Sequence, residues 1–434
     1  MAEIGIQTWG SEGDIRPFLA LAAGLAEAGH EVTVVITSVD DKNYQDYAQR
    51  FGFTLTPVAS PVIDDSKKFE DIGREIFFQR NPITQAVKLL EMLFEPCVEQ
   101  MVDAALNLCN HNDIVIGHFF CYPLAIVAEE TATPYINVLL MHNIIASRYV
   151  PPAGFPNLGW GLNTVWWRLI RVFINHGLLR FPNRLRQRRG LPQVRDVINE
   201  VWLAKTLNLI AVSPSFCRPQ KDWPTYDKVC GFFNLPDDAT PWEMPESLIA
   251  FLQNGEPPVY MTFGSLMPLS DEERQNTLDL FVAAADQGNC RAILQVNEAE
   301  AVKLSSTEQV YYLTRAPHDK VFPSCAAVVH HGGAGTTQSA TRAGVPSIVV
   351  AHITEQQFWG LELRRLGVAP RYLQRRTLTA RKLAARIREV LRAPSMKTSA
   401  AELGCRMGEE QGVKNAVTFT EKFLSARGKR DCYL

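Results

Sequence analysis

Short apolar runs alternate along this chain with longer amphipathic segments, and the alternation occurs twice. In the first half, runs at 3–8, 31–37, 113–117, 135–140 and 207–212 have strand length and are rich in Ile and Val. Segments between them, such as 17–28 and 124–130, have helical character. In the second half, runs at 259–263, 292–296, 309–312, 326–330 and 347–350 restart the pattern. Strand-length runs separated by helices predict an α/β protein with parallel, doubly wound sheets. The pattern breaks between 143 and 206, where Trp160, Trp166, Trp167 and Trp202 lie among arginines and Pro-Gly-rich turns. Prolines at 236, 241, 245, 257 and 258 predict a linker. The expected organisation is a domain over 1–235, a linker over 236–257, a domain over 258–400 and a terminal helix over 401–434 that packs back on the first domain. Each half opens with a strand followed by Gly-Ser, at Gly10-Ser11 and at Gly264-Ser265. Two Rossmann-like lobes facing a central cleft are therefore expected, with ligands beyond the carboxyl ends of the strands.

Composition narrows the function classes. The 434 residues are enough for two domains, and 46% hydrophobic with 21% charged residues is an ordinary globular balance. A net charge of −2 gives no field that would draw in nucleic acid. The nine cysteines are odd in number and form no Cys-x-x-Cys, which argues for a reducing compartment and against a disulfide framework or a zinc ribbon. The apolar stretch 116–128 is too short to span a bilayer, and no basic leader precedes the first strand. A cytoplasmic protein is expected.

The stretch from His331 to Thr337, His-Gly-Gly-Ala-Gly-Thr-Thr, follows an apolar strand and opens a helix. Glycines there let the backbone approach a ligand, and the first N–H groups of the helix suit an anion. About twenty residues on, Glu355-Gln356 follows another strand. A carboxylate beside an amide can bind sugar hydroxyls, or it can cap the helix that begins there. In the first half Asp14 sits in a Gly-flanked loop just before Pro17. It is placed either as a general base or as a helix cap. His118 also follows a strand; it could orient Asp14, touch a substrate or sit in the core. His330-His331 does not read as a metal pair, because adjacent residues at a strand end point to opposite faces.

Taken in order, these motifs resemble the donor signature of the family 1 glycosyltransferases, the UDP-glycosyltransferases of GT-B fold. The signature runs from Ala316-Pro317-His318 through His330-His331-Gly332-Gly333-Ala334-Gly335-Thr336-Thr337 and Arg342-Ala343-Gly344-Val345-Pro346 to Glu355-Gln356-Gln357-Phe358-Trp359-Gly360. Gly10-Ser11-Glu12-Gly13-Asp14-Ile15-Arg16-Pro17-Phe18 is similar to the N-terminal loop of the sterol and lipid glucosyltransferases and the bacterial antibiotic glycosyltransferases. The resemblance implies a diphosphate held by His331 and by the amides of Gly333, Ala334, Gly335 and Thr336, with Gly264, Ser265, Pro317 and His318 in the same donor site. It implies sugar hydroxyls on Glu355 and Gln356, and Asp14 as the base. The family usually has Asp-Gln where this chain has Glu355-Gln356, and Arg315 stands where plant members stack a tryptophan on uracil. No Asp-x-Asp is present, and no metal or other cofactor is expected. The implied reaction moves a hexose, with glucose the leading choice, from a UDP-sugar to a hydroxyl of a hydrophobic acceptor, with inversion. A nucleotide-sugar epimerase and a non-catalytic binding protein are the alternatives.

Phe119, Met141 and Trp160 are the expected acceptor contacts, since an aromatic surround suits a sterol, terpenoid, polyketide or phenolic. The run Arg180, Arg184, Arg186, Arg188, Arg189 and Arg195 reads as a solvated face or as a contact with an anionic membrane.

Overall fold

The computed structural model describes residues 1–39, 42–61, 66–77, 79, 81–235, 242–264 and 270–431. The chain divides into two compact units, one of residues 1–239 with 410–434 and one of residues 240–409.

The first unit is built on seven strands: β1 Glu3–Gly10, β2 Glu31–Ser38, β3 Thr54–Pro57, β4 Ile114–His118, β5 Tyr135–Leu139, β6 Asn208–Ile210 and β7 Asp227–Val229. They form one parallel sheet in the order β3-β2-β1-β4-β5-β6-β7. The strands read as apolar runs because both faces are covered. On one face Ile4, Ile6, Val34, Ile36, Ile116 and Val138 pack with Ile15 and Phe18 of the helix Glu12–Glu27. On the other, Val35 and Val115 pack with Met101 and Ala105 of the helix Val98–His111.

The second unit has six strands: β8 Val259–Met261, β9 Ala292–Gln295, β10 Val310–Leu313, β11 Ala327–His330, β12 Ser347–Ala351 and β13 Leu373–Gln374. Their order is β10-β9-β8-β11-β12-β13, again parallel.

Two expected boundaries differ. Residues 242–257, expected as linker, include the helix Glu246–Gln253, whose Leu248 and Phe251 pack with Tyr260, Tyr311 and Phe322 in the second unit's core. Pro245 caps that helix instead of marking a free linker, as suits a residue whose missing N–H costs a helix start nothing. Prolines 236 and 241 lie outside the described residues. The boundary expected at 400 falls inside the helix Pro394–Gly408, which packs on the helix Ala334–Arg342 of the second unit. The next helix, Gly412–Asp431, packs on Glu12–Glu27. Asn415 Nδ2 donates to the Cys230 carbonyl at 2.8 Å, and Ser213 Oγ donates to Glu410 Oε1 at 2.6 Å.

Candidate active site

Where the strand order of an open parallel sheet reverses, the loops at its carboxyl edge part and leave a crevice. That point lies between β1 and β4 in the first unit and between β8 and β11 in the second. Most of the expected site residues stand at these two places.

In the second unit β11 ends at His330, and His331-Gly332-Gly333 turns into the helix Ala334–Arg342. Gly332 has φ 92°, and a Cβ there would lie 2.7 Å from Val349 Cγ1 and 2.9 Å from the Gln356 carbonyl oxygen. Only glycine fits, and its fit presses the turn against the start of the helix Thr354–Arg365. A Cβ on Gly333 would meet His331 Nε2 at 2.4 Å, and one on Gly264 would meet His331 Cε1 at 2.8 Å. The imidazole is thus seated between the end of the β8 loop and the helix start. Gly333 is the N-cap and has no side chain to offer, and the helix has no acidic residue in its first turn. Among the described residues no side chain caps its first N–H groups, at Ala334, Gly335 and Thr336, and they suit an external acceptor. Burial, with the charge of His318 as a smaller cause, lowers the His331 pKa to about 4, so the ring is neutral near pH 7. His330 is lowered to about 3, mainly by burial, and its Nδ1 accepts the Gly332 N–H at 3.1 Å. His318 stacks on Phe322 at 4.3 Å, following Pro317, the N-cap of its short helix. Ser265 lies outside the described residues.

Glu355 and Gln356 are brought to this turn, but they are not equivalent. Gln356 is buried, and its Oε1 accepts the His352 and Ile353 N–H groups at 2.7 and 3.2 Å. The amide oxygen therefore caps the helix, which is the alternative the sequence left open. Glu355 is half-buried, and its Oε1 accepts from Trp359 Nε1 at 3.2 Å.

In the first unit Ser11 is the N-cap of Glu12–Glu27 and Asp14 lies three positions on. Asp14 Oδ2 accepts from Ser11 N at 3.0 Å and from Ser11 Oγ at 3.1 Å. Asp14 does cap the helix, and the same bonds fix its carboxylate. Burial and the Asp14 charge push the Cys121 thiol well above its ordinary value, as expected for a buried group beside this loop. His118 is buried, with its pKa lowered by that burial to about 3, and packs on Phe18 and Phe119. Among the described residues neither of its ring nitrogens has a hydrogen-bond partner, so it does not orient Asp14 by a hydrogen bond.

Phe119 joins an aromatic cluster with Phe120, Trp202, Trp9 and Phe94, at centroid distances of 5.0 to 6.2 Å. Met141 is half-buried just beyond β5. Trp160 stands apart, 67% exposed at the start of the helix Trp160–Leu178. The arginine run is not a free basic face. Arg180, Arg184 and Arg188 pair with Glu91, Glu95 and Glu99. Arg186 makes two bonds to Glu129, at 2.7 and 2.8 Å, and Arg189 pairs with Glu130.

Two site features escaped the sequence reading. Trp9 ends β1 directly before the Asp14 loop, and that adjacency was the available signal. Arg375 follows β13 at the carboxyl edge of the second sheet, where no local motif marks it. Its guanidinium lies 5.2 Å from the Phe263 ring and donates to Thr277 Oγ1 at 2.6 Å. Phe263 in turn packs on His352 at 4.8 Å, and the His352 ring is 6.4 Å from that of His331. Among the described residues, no three His, Cys, Asp or Glu side chains are grouped to hold a metal ion.

Residues 282–412 match the family described as erythromycin biosynthesis protein CIII-like, C-terminal domain. Over 98% of its length the chain is 29% identical to an O-mycaminosyltylonolide 6-deoxyallosyltransferase of Streptomyces fradiae, 98% of which is covered. Over 96% of its length it is 28% identical to a sterol 3-beta-glucosyltransferase of Arabidopsis thaliana, and it spans 64% of that protein. The crystal structure of the glycosyltransferase VinC in complex with DTDP covers 98% of this chain and is itself fully covered, with a TM-score of 0.64 at 18% identity. The fold is therefore that of the GT-B glycosyltransferases. Residues 282–412 are thus similar to the erythromycin biosynthesis protein CIII-like C-terminal domain, and along nearly its whole length the chain is similar in sequence to a deoxyallosyltransferase and to a sterol glucosyltransferase.

Proposed function

We propose that this protein transfers a hexose, with inversion, from a pyrimidine nucleoside diphosphate sugar to a hydroxyl of a hydrophobic acceptor. UDP-glucose is the leading donor. The observation that carries this reading is the uncapped, acid-free helix start at 334–336 with His331 seated beside it. Such a helix start suits a diphosphate, and it lies at the strand-order reversal of its sheet.

In the reaction the acceptor hydroxyl oxygen forms the new bond to the anomeric carbon, and its proton passes to the Asp14 carboxylate. The bond from that carbon to the diphosphate breaks, and the diphosphate keeps the electron pair. The N–H groups of the helix start meet the growing negative charge, the neutral His331 ring donates a hydrogen bond, and the Arg375 cation adds its field. The chemistry needs no metal in this scheme, so turnover should persist in excess EDTA. Glu355 binds sugar hydroxyls, with Gln356 holding its helix start in place. The aromatic cluster of Trp9, Phe119, Phe120 and Trp202 supplies an apolar wall near the base. The names of two relatives support the acceptor and donor classes: one acts on a sterol with a glucosyl group and one on O-mycaminosyltylonolide with a deoxyallosyl group. A neighbour that holds DTDP makes thymidine donors the second arm of the test.

The test is a donor-hydrolysis screen over UDP- and TDP-hexoses, which needs no acceptor. Slow release of nucleoside diphosphate from one donor class, preserved in EDTA, is expected. A protein that neither binds nor hydrolyses any of these donors would sink the proposal.

A further inference from the structure

The helix Trp160–Leu178 is turned inside out. Leu162, Val165, Leu169, Val172 and Phe173 are 45% to 65% exposed and recur at helical spacing along one side. Trp160, at the helix start, is exposed as well, and so are Tyr149, Val150, Phe155 and Leu158 of the preceding segment. Two asparagines point the other way. Asn163 is fully buried, with its Nδ2 donating to the Arg148 carbonyl and to Asn157 Oδ1. Asn175 donates to the Arg195 carbonyl and accepts from the Val197 N–H. From residue 162 to 173 the apolar side runs roughly 16 Å. A contiguous patch of this kind marks an interaction surface.

Charge identifies the partner. Residues 131–195 contain no Asp or Glu, although the whole chain has 46, and they contain nine arginines. Most of these arginines reach acids outside the segment. Besides the pairs with the glutamates at 91, 95, 99, 129 and 130, Arg171 pairs with Asp196 and Arg148 with Asp222. Arg168 sits exposed between Val165 and Leu169 and has no ionic partner among the described residues. The face thus combines apolar side chains and a cation, with no anion.

We propose that this face of Trp160–Leu178 lies in the interface of an anionic lipid bilayer, with its axis along the membrane plane. Its apolar side chains enter the acyl boundary, while Arg168 sits at head-group level. No described helix is long and apolar enough to cross a membrane, so the contact is interfacial. A second copy fits less well, because a two-fold contact would bring this acid-free face against itself with no counter-charge for Arg168. A small acceptor fits less well too, because it needs a concave site and this is the outer side of a helix. The inference stands on this surface and not on the transfer reaction proposed above.

The test is co-sedimentation of the full chain with vesicles of phosphatidylcholine alone and of an equal mixture with phosphatidylglycerol. Binding to the mixed vesicles, weaker on the neutral ones and reduced by salt, is expected. Phe173→Glu should lower the partition coefficient by about tenfold or more, and Leu169→Gln should lower it less. Both should leave the melting temperature and acceptor-free donor hydrolysis unchanged, which separates loss of docking from loss of fold or of donor chemistry. Failure of the wild-type chain to bind either vesicle overturns the proposal. So does a dimer in sedimentation velocity that Phe173→Glu dissolves, since that result assigns the face to a second copy.

Discussion

The two strand–turn–helix junctions, one in each unit, share a register and differ in charge. The first runs Ser11-Glu12-Gly13-Asp14 and the second Gly333-Ala334-Gly335-Thr336, each from its N-cap residue. Glycine occupies the same place in both. Acids at 12 and 14 are replaced by Ala334 and Thr336, and the capping serine is replaced by glycine. The first junction carries its own carboxylate at its helix start, bonded to the N–H of the N-cap Ser11. The second leaves its helix start unmet and packs a neutral imidazole beside it. One fold element is thereby used in two ways. An internal anion makes the first junction a poor phosphate site and a natural place for a base, and the lack of one makes the second an anion site.

The largest effect should come from removing the charge at the first junction without removing the cap. In Asp14→Asn the amide oxygen still accepts the Ser11 N–H, so the melting temperature should hardly move. The turnover number should fall by roughly 10²–10⁴-fold, the usual contribution of a general base. The donor dissociation constant, measured by calorimetry with the nucleoside diphosphate, should stay the same. A variant that keeps full turnover removes Asp14 from the chemistry and reduces it to a cap.

Acid should separate the two units next. The second unit buries His330 and His331, with pKa values lowered to about 3 and about 4, and His352, lowered well below the ordinary value, all chiefly by burial. In the first unit His118 is in this condition, lowered to about 3. These groups take up protons more readily when unfolded. The stability they lend is complete above pH 6.5, the ordinary histidine value, and is lost as pH falls toward 4. Each then removes up to ~1.4 kcal/mol per pH unit. Amide exchange followed from pH 7 to pH 4.5 should show protection falling first and more steeply in residues 242–409. Equal loss in both units would show that the buried histidines do not set the acid limit.

Backbone geometry at the second junction gives a smaller, local effect. Gly332→Ala puts a methyl group against Val349 and the Gln356 carbonyl at a positive φ. It should cost about 2–3 kcal/mol in urea unfolding. Gly335 has helical geometry and open space where a Cβ would stand, so Gly335→Ala should cost nothing in the same measurement. Equal costs at the two positions would mean that the turn is not held as described.

Both glycine-rich turns were legible in the sequence because their meaning is local: a strand end, a turn and a helix start within a few residues. The long buried strands were legible for the same reason. What escaped depends on distant partners. β7 has three residues and is held by polar pairing, with Asn208 Nδ2 donating to Asp227 Oδ1 at 2.7 Å, so it shows no apolar run. β13 has two residues, and the position of Arg375 follows from its pairing with β12. The pairing of the arginine run was not legible because the balancing Glu91, Glu95 and Glu99 lie far upstream on other elements. Gln356 could not be divided between capping and ligand binding until its oxygen was seen on the His352 and Ile353 amides.

The comparison can be tested most directly by converting one junction into the other. Thr336 stands where Asp14 stands, three residues after the N-cap, so Thr336→Asp gives the second helix the carboxylate of the first. A negative charge in the first turn favours the helix by about 0.3–1 kcal/mol, so the melting temperature should hold or rise slightly. The same charge occupies the anion site and repels a diphosphate, so the nucleoside diphosphate should bind at least about tenfold more weakly, or ~1.4 kcal/mol. Thr336→Asn has similar size and polarity without the charge, and its affinity should stay close to the wild-type value. If Asp and Asn weaken binding equally, the Thr336 hydroxyl and not the uncapped helix start is what the donor needs. If neither weakens it, the diphosphate does not bind at this junction and the assignment of the two turns is wrong.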